Sequence, residues 1–415
     1  MFTVLLALAL SAPAPLHLAD LLKEARERNP ELRSALAEVR AARSSVAPAG
    51  ALDDPMLSLQ LWNAPVDLSS VPLMVQLSQN LPLGGKRAAR RETATADLDA
   101  SRASAAAKVR DVEQEVAKAY FELFMADREV EVDLEIERTI GTIVEAASAR
   151  VASGRGELVE ELKAEGELLG VRAEEETARA QRASANVRLA TLLDRDPSVP
   201  LGPTGVPELL PSLAPERLLR DRALASRPEL AFASAGIAAA LARLRLARAA
   251  RVPDLGLSAA EMHAFTGGPG PHDFLFLGVQ GNLPLFEGEK NEPKIDAATA
   301  EVEAKREAEH SLHNRVLAEV ADALAHVVAE EHLVRLHHQL IPLTHQVFDS
   351  AIAGYTAGRT DFLMVLDSVR DLRMHELDLA AHLGAYEQDL ADLEHAVGAD
   401  LGLAASAEAG HWEAH

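Results

Sequence analysis

Residues 281–290 read GNLPLFEGEK, and residues 79–87 read QNLPLGGKR. Both stretches carry Asn-Leu-Pro-Leu, then glycine, then a basic residue. Each closes a segment of alternating apolar residues and opens a long charged one. The match extends in both directions. Asn29-Pro30-Glu31-Leu32 returns as Arg227-Pro228-Glu229-Leu230. Pro55 and the LSL of 57–59 return as Pro253 and the LGLS of 255–258, and the ASGRGEL of 152–158 returns as the TAGRTDF of 356–362. The offsets are 198, 198, 202 and 204 residues. Matches in unbroken order with slowly drifting spacing mark a duplication that has gained small insertions. Between the halves, residues 194–215 hold six prolines and two glycines. No helix or central strand survives that density, so the stretch is a linker.

Each half has the same internal grammar. The first repeat covers 15–193 and the second 216–398, with 399–415 as a tail. A helical segment opens each repeat (Leu16–Val46 and Ala214–Arg251), with apolar residues three and four apart. Two alternating segments follow, predicted as strands at about 55–63 and 72–81, and again at about 253–264 and 273–283. Leu57, Leu59 and Leu61 alternate with Ser58 and Gln60; Leu275, Leu277 and Val279 alternate with Phe274, Phe276, Gly278 and Gln280. Such alternation gives a strand one apolar face and one more polar face. Long helices are then predicted at 86–152 and 288–356, each followed by a glycine-marked turn and a return helix, at 157–193 and 361–397. At 1.5 Å per residue, about 65 residues span about 100 Å, far beyond a helix of an ordinary domain. The expected fold class is therefore mainly α with a small β part, built from duplicated long helical hairpins. The strand pattern alone fits two arrangements equally. In one, a small soluble sheet packs on helices. In the other, the apolar face meets lipid and several protomers pool their strands, because four strands cannot close a barrel.

Composition narrows the function classes. Lys and Arg total 41 against 64 Asp and Glu, a net charge of −23, so a nucleic-acid partner is not expected. The same balance permits a cationic cargo and equally fits a solvated acidic surface. Cysteine is absent, which removes disulfides, thiolate metal sites and a lipidated N-terminal cysteine. The first residues, MFTVLLALALSAPAP, hold an unbroken apolar run from Val4 to Leu10 followed by small residues. That is the size of a signal-peptide core, and residues 1–14 are assigned to one, although no Lys or Arg precedes the run. No other segment reads as the roughly 20 apolar residues of a membrane helix. No nucleophile elbow, phosphate loop or convincing ligand cluster appears, so neither an enzyme nor a cofactor is expected.

The duplicated halves, the two strand pairs, the helices of about 100 Å and the motifs NPEL (29–32), QNLPLGGK (79–86) and YTAGRTDFLMVLD (355–367) resemble TolC-type outer membrane factors over nearly the whole chain. The resemblance implies a homotrimer whose strands form one 12-stranded transmembrane β-barrel in outer membrane lipid, and whose helices form a periplasmic α-barrel. It implies docking to a periplasmic adaptor and an inner-membrane pump, in a tripartite efflux or type I secretion system. It implies a conduit without chemistry. The stretch DDPMLSLQLWNAPVD before QNLPLGGK resembles the heavy-metal (copper and cobalt–zinc–cadmium) branch, which makes metal cation efflux an expectation. The strand-to-helix transitions are assigned to Asn80, Pro82 and Gly84, and to Asn282, Pro284 and Gly288. An elongated coiled-coil protein of the cell envelope with no pore is the alternative.

In this family's pattern the tip motif is Tyr-x-x-Gly followed by an aspartate nine residues after the glycine, which here gives Tyr355, Gly358 and Asp367. Where some members carry another aspartate this chain has Met364, and Asp361 stands nearby. The equivalent first-half turn carries Gly154, Arg155, Glu157, Glu160 and Glu161. These residues form a candidate periplasmic aperture, in which clustered carboxylates favour cations and Arg155 and Arg359 bridge to neighbouring acids. The competing reading is helix capping, since acids are favoured in a first turn. Of the 15 histidines, His310 and His313 share a helix face, which fits a ligand pair and, more simply, solvated surface residues.

Overall fold

The computed structural model describes residues 15–61, 73–209, 213–263, 273–282 and 287–402. The proposed signal peptide and Pro284 lie outside the described residues. The order is α1 (Leu18–Arg28), α2 (Pro30–Ala49), β1 (Met56–Leu61), β2 (Leu73–Leu81), α3 (Lys86–Ala152) and α4 (Leu158–Leu192). The second half repeats it as α5 (Glu216–Ser226), α6 (Pro228–Ala249), β3 (Leu255–His263), β4 (Asp273–Gly281), a π-helical turn (Glu287–Asn291), α7 (Glu292–Thr356) and α8 (Phe362–Val397).

The opening segment of each half is two helices, not the single one expected. Residues before proline are pushed out of the helical region. Asn29 (ψ 126°) and Arg227 (ψ 122°) take that extended conformation and split the segments. Asn29 turns the break into a cap. Its Oδ1 accepts the amides of Glu31 (2.9 Å) and Leu32 (3.3 Å), with Pro30 at the first helical position, where its missing N–H costs nothing. Its Nδ2 donates to the Leu192 carbonyl at the end of α4 (2.9 Å). In the second half Ser226 Oγ donates to the Val397 carbonyl at the end of α8 (2.7 Å), and Arg227 pairs with Glu319. Each helix break therefore docks beside the end of its own return helix.

The strands form one antiparallel sheet in the order β1-β2-β3-β4. The register places Leu57 opposite Leu77, Leu77 opposite Ala259 and Ala259 opposite Leu277, so one face is largely apolar across all four strands, interrupted by Glu261 between Val75 and Leu275 and by Gln79, His263 and Asp273 toward its ends. That face is bare: Leu59 is 67% exposed, Leu275 74% and Leu277 81%. Ser58, Gln76, Ser78, Ser258 and Gln280 lie on the other face, alongside Phe274 and Phe276.

Alpha-carbon proximity divides the chain into two compact units, and neither unit is a sequence repeat. One comprises 1–33, 107–227 and 315–415; the other comprises 34–106 and 228–314. In the second unit, Ala240 and Leu244 of α6 pack with Ala298 and Val302 of α7. Helix α6 corrects one expectation, because an 18-residue stretch of its 22 residues reaches a mean hydropathy of 1.5, enough by length and composition to cross a membrane. Its apolar content is largely alanine, which lets helix backbones approach closely, and Ala235, Ala239, Ala240 and Ala242 are buried. In the first unit the linker is pinned. Thr204 donates its amide and hydroxyl to Asp127 Oδ2, and the Leu201 amide donates to Asn186 Oδ1 (2.7 Å).

The two NLPL motifs lead into helices that start differently. After Pro82, Gly84 (φ +70°) and Gly85 (φ +79°) take the left-handed region, and α3 starts at Lys86. A Cβ on Gly84 would lie 2.7 Å from Val252 Cβ, so the position needs glycine both for its backbone and for its neighbour. In the second half Gly288 lies inside the π turn. Pro293 cannot donate the α-helical bond back to residue 289, and the wider π bonding occupies the stretch before it. The transition residues also join the halves. Lys86 Nζ donates to the Val252 carbonyl (2.7 Å) and to Asp254 Oδ1 (2.6 Å), the Leu83 amide donates to the same Oδ1 (3.2 Å), and Asn282 Oδ1 accepts the Asp254 amide (2.6 Å). Lys290, the counterpart of Lys86, is exposed.

Candidate functional site: the paired hairpin turns

The turns that end α3 and α7 are built alike. Gly154 (φ +70°) and Gly358 (φ +71°) are left-handed. In the first, the Gly154 amide donates to the Val151 carbonyl (2.9 Å) and the Arg155 amide to the Arg150 carbonyl (2.9 Å). In the second, Gly358 donates to Tyr355 (2.9 Å) and Arg359 to Gly354 (2.8 Å). This is the Schellman pattern, which satisfies the last carbonyls of a helix and requires a residue tolerant of positive φ. The chain has thus kept the backbone of this turn through the duplication.

The side chains have diverged, and the divergence locks the turns together. Arg150 occupies the position that Gly354 holds in the second half. Its guanidinium lies 4.5 Å from the centroid of the Tyr355 ring. Its Nη1 donates to the Tyr355 carbonyl (2.8 Å) and its Nη2 to the Arg155 carbonyl (3.1 Å). The Tyr355 hydroxyl donates to Glu160 Oε2 (3.0 Å) at the start of α4. Burial and then Glu160 push that phenol up to about 12, so it remains a donor at physiological pH. At Gly354 a Cβ would lie 2.0 Å from Thr360 Oγ1, which leaves no room for a side chain there. Beneath the turns, Tyr355 and Phe362 (ring centroids 5.6 Å apart) join Ile143, Ala147, Ala164 and Val365 in a buried cluster.

Of the predicted aperture residues, Arg155, Glu157, Arg359, Asp361 and Asp367 are exposed, and Glu160 and Glu161 are half-buried. Glu157 and Asp361 sit at helix N-caps, yet neither side chain accepts a capping hydrogen bond. Asp367 approaches Arg370 at 3.8 Å. Within the described protomer no ion pair joins Arg155 or Arg359 to an acid. The arginine that bridges the two turns is Arg150, which bonds backbone carbonyls and not acids, and nothing in its spacing along the sequence sets it apart. His310 and His313 likewise have no metal-ligating neighbours among the described residues.

Two further arginines tie the return helices together. Arg370 makes a two-point pair with Glu167, Nε to Oε1 at 2.7 Å and Nη2 to Oε2 at 2.5 Å. Arg373 reaches the fully buried Asp133 (2.7 Å) and Glu174 (3.1 Å). The hydrogen bond from Arg370 holds the Glu167 carboxyl below its ordinary 4.5, against burial, which acts upward. A depressed folded pKa gives stability that is complete above 4.5 and lost as pH falls through the lowered value. Melting temperature followed downward from neutral pH is therefore expected to drop with an acid slope that Arg370→Gln reduces. An identical slope in the variant assigns the acid sensitivity to other carboxylates.

Duplicated long helical hairpins and a four-stranded sheet with a bare, largely apolar face are the features of a membrane conduit. The chain belongs to the outer membrane efflux protein family, whose profile matches residues 21–195 and 219–399, one segment in each half. It is an outer membrane channel for efflux, in a family of transport channels and not of enzymes. The cobalt-zinc-cadmium resistance protein CzcC of Cupriavidus metallidurans is 25% identical over 93% of this chain and 91% of its own length. Among solved structures, CusC superposes with a TM-score of 0.79 at 19% identity, covering 95% of this chain and 96% of that one. The Neisseria gonorrhoeae MtrE outer membrane channel, solved in its open state, gives 0.78 at 24% identity, covering 93% and 89%.

Proposed function

We propose that three copies of this chain assemble into one duct. Their sheets close a 12-stranded barrel, and their helices line a periplasmic passage that meets an adaptor and an inner-membrane pump. The observation that carries this reading is the bare sheet. Its largely apolar face is exposed on all four strands, and β1 and β4 are edge strands, each paired on one side only. Hydrocarbon tolerates neither open edges nor unpaired backbone groups, and four strands are too few to close. Pooling sheets from several copies satisfies both demands. Exposed apolar residues on the hairpins, including Leu158, Leu162 and Leu169 on α4 and Leu336 and Leu343 on α7, give neighbouring copies surface to bury.

The test is planar-bilayer conductance of the detergent-purified protein, with its mass measured on the same sample. Discrete cation-selective steps from a trimer support the duct. A monodisperse, water-soluble species that never inserts would favour the pore-free coiled-coil alternative.

The similarity to CzcC supports a divalent heavy-metal cation as cargo, and the exposed acids at the turns suit a cation-favouring aperture. Asp367→Lys is expected to shift the reversal potential away from cation selectivity. An unchanged reversal potential removes Asp367 from the aperture.

A further inference from the structure

Along the α7–α8 hairpin, two buried nitrogens lack hydrogen-bond partners: His337 Nδ1 and His375 Nδ1. Buried polar atoms are nearly always paired, so two orphans side by side call for an explanation. The rings are 5.9 Å apart, centroid to centroid. Asp378, one helical turn beyond His375 on α8, places Oδ2 3.9 Å from His375 Nδ1. One donor atom from each of His337, His375 and Asp378 lies within 4.8 Å of the others. A fourth group stands next to them. The His382 ring centroid is 5.0 Å from that of His337, and its Nδ1 meets Glu330 Oε2 at 2.8 Å. A carboxylate holding one imidazole nitrogen fixes the tautomer and leaves the other nitrogen's lone pair free, which is the arrangement that supports histidine ligands in metal sites.

We propose that His337, His375 and Asp378, completed by His382, bind a divalent transition-metal cation of the zinc or cobalt type and so tie α7 to α8. Imidazoles with one carboxylate suit such ions over calcium or magnesium, which prefer all-oxygen shells. In a tetrahedral site with metal–nitrogen distances of about 2.1 Å, donors lie about 3.4 Å apart. Binding would thus draw this cluster together by small side-chain rotations. Asp378 is about half exposed, which gives an ion a way in from solvent. The site is a resident one. It goes beyond the channel reading and does not depend on what the duct carries.

The experiment is a Co²⁺ titration of the chelator-treated, detergent-purified full chain, followed by visible absorption and reversed with Zn²⁺. One site per protomer is expected, with a tetrahedral-type spectrum that Zn²⁺ abolishes. Zn²⁺ should also raise the melting temperature, because a ligand that binds only the folded state stabilises it. His375→Ala and His337→Gln should each weaken binding by at least about tenfold and remove the thermal shift. The double variant His310→Ala/His313→Ala should bind like wild type. If His375→Ala fails to fold, His337→Gln and Asp378→Asn carry the comparison. No saturable binding, or wild-type affinity in His337→Gln and Asp378→Asn, would overturn the site.

Discussion

Arg150→Ala is expected to raise the open probability of the purified channel in planar bilayers by at least several-fold and to lower its melting temperature. Three interactions disappear together: the bonds to the Tyr355 and Arg155 carbonyls and the contact with the Tyr355 ring. Charge-assisted hydrogen bonds contribute about 1.5–3 kcal/mol, and a partly buried cation–π contact contributes about 1–2 kcal/mol. These terms overlap, so about 3 kcal/mol is a reasonable total, enough to shift a local two-state equilibrium about a hundredfold. Conductance and melting separate the two readings of the turns. If Arg150→Ala melts early but conducts like wild type, the turns are helix ends and line no aperture. If both change, the lock between the halves also controls passage. Tyr355→Phe provides a graded comparison, since it removes only the donor to Glu160 and keeps the ring under the guanidinium.

The second large effect is expected at the strand-to-helix junction. Lys86→Met should destabilise the folded protein by roughly 2–3 kcal/mol, read as a lower melting temperature in detergent. Lys86 is 6% exposed, and its ammonium is held by one carbonyl and one carboxylate. Removing one partner of a buried pair usually costs about 3–5 kcal/mol, because the other charge is stranded. Asp254 retains 25% side-chain exposure and the Leu83 amide, which moderates the penalty. The double variant Lys86→Met/Asp254→Asn should recover part of the loss, because no charge is then left unpaired. A double variant as unstable as the sum of the two single changes would show that the pair does not couple. Gly84→Val should harm the same junction by another route, forcing a branched side chain into positive φ against Val252.

Much of this architecture was legible in the chain. Periodicity alone separates the strands from the long helices, because a period of two and a period of 3.6 are hard to confuse over such lengths. The observed strands, Met56–Leu61 through Asp273–Gly281, fall inside the alternating segments. The helix breaks at Asn29 and Arg227 were also written there, in the proline that follows each, but the continuous apolar spacing across them hid the signal. The unlike starts of α3 and α7 were obscured by the near-identity of the NLPL motifs, which share their letters but not their neighbours.

What the sequence determined by itself is whatever depends on local chemistry repeated in order: the duplication, the alternation, the glycines at positive φ and the helix lengths. What tertiary structure decided is which distant side chains meet. Arg150 over Tyr355, Lys86 on Asp254, and His337 beside His375 and Asp378 join residues 205, 168 and about 40 positions apart. No periodicity encodes such meetings, because they depend on how whole helices are rotated and aligned. The duplication supplied two equal turns, and the packing of one against the other made Arg150 necessary where its counterpart is Gly354.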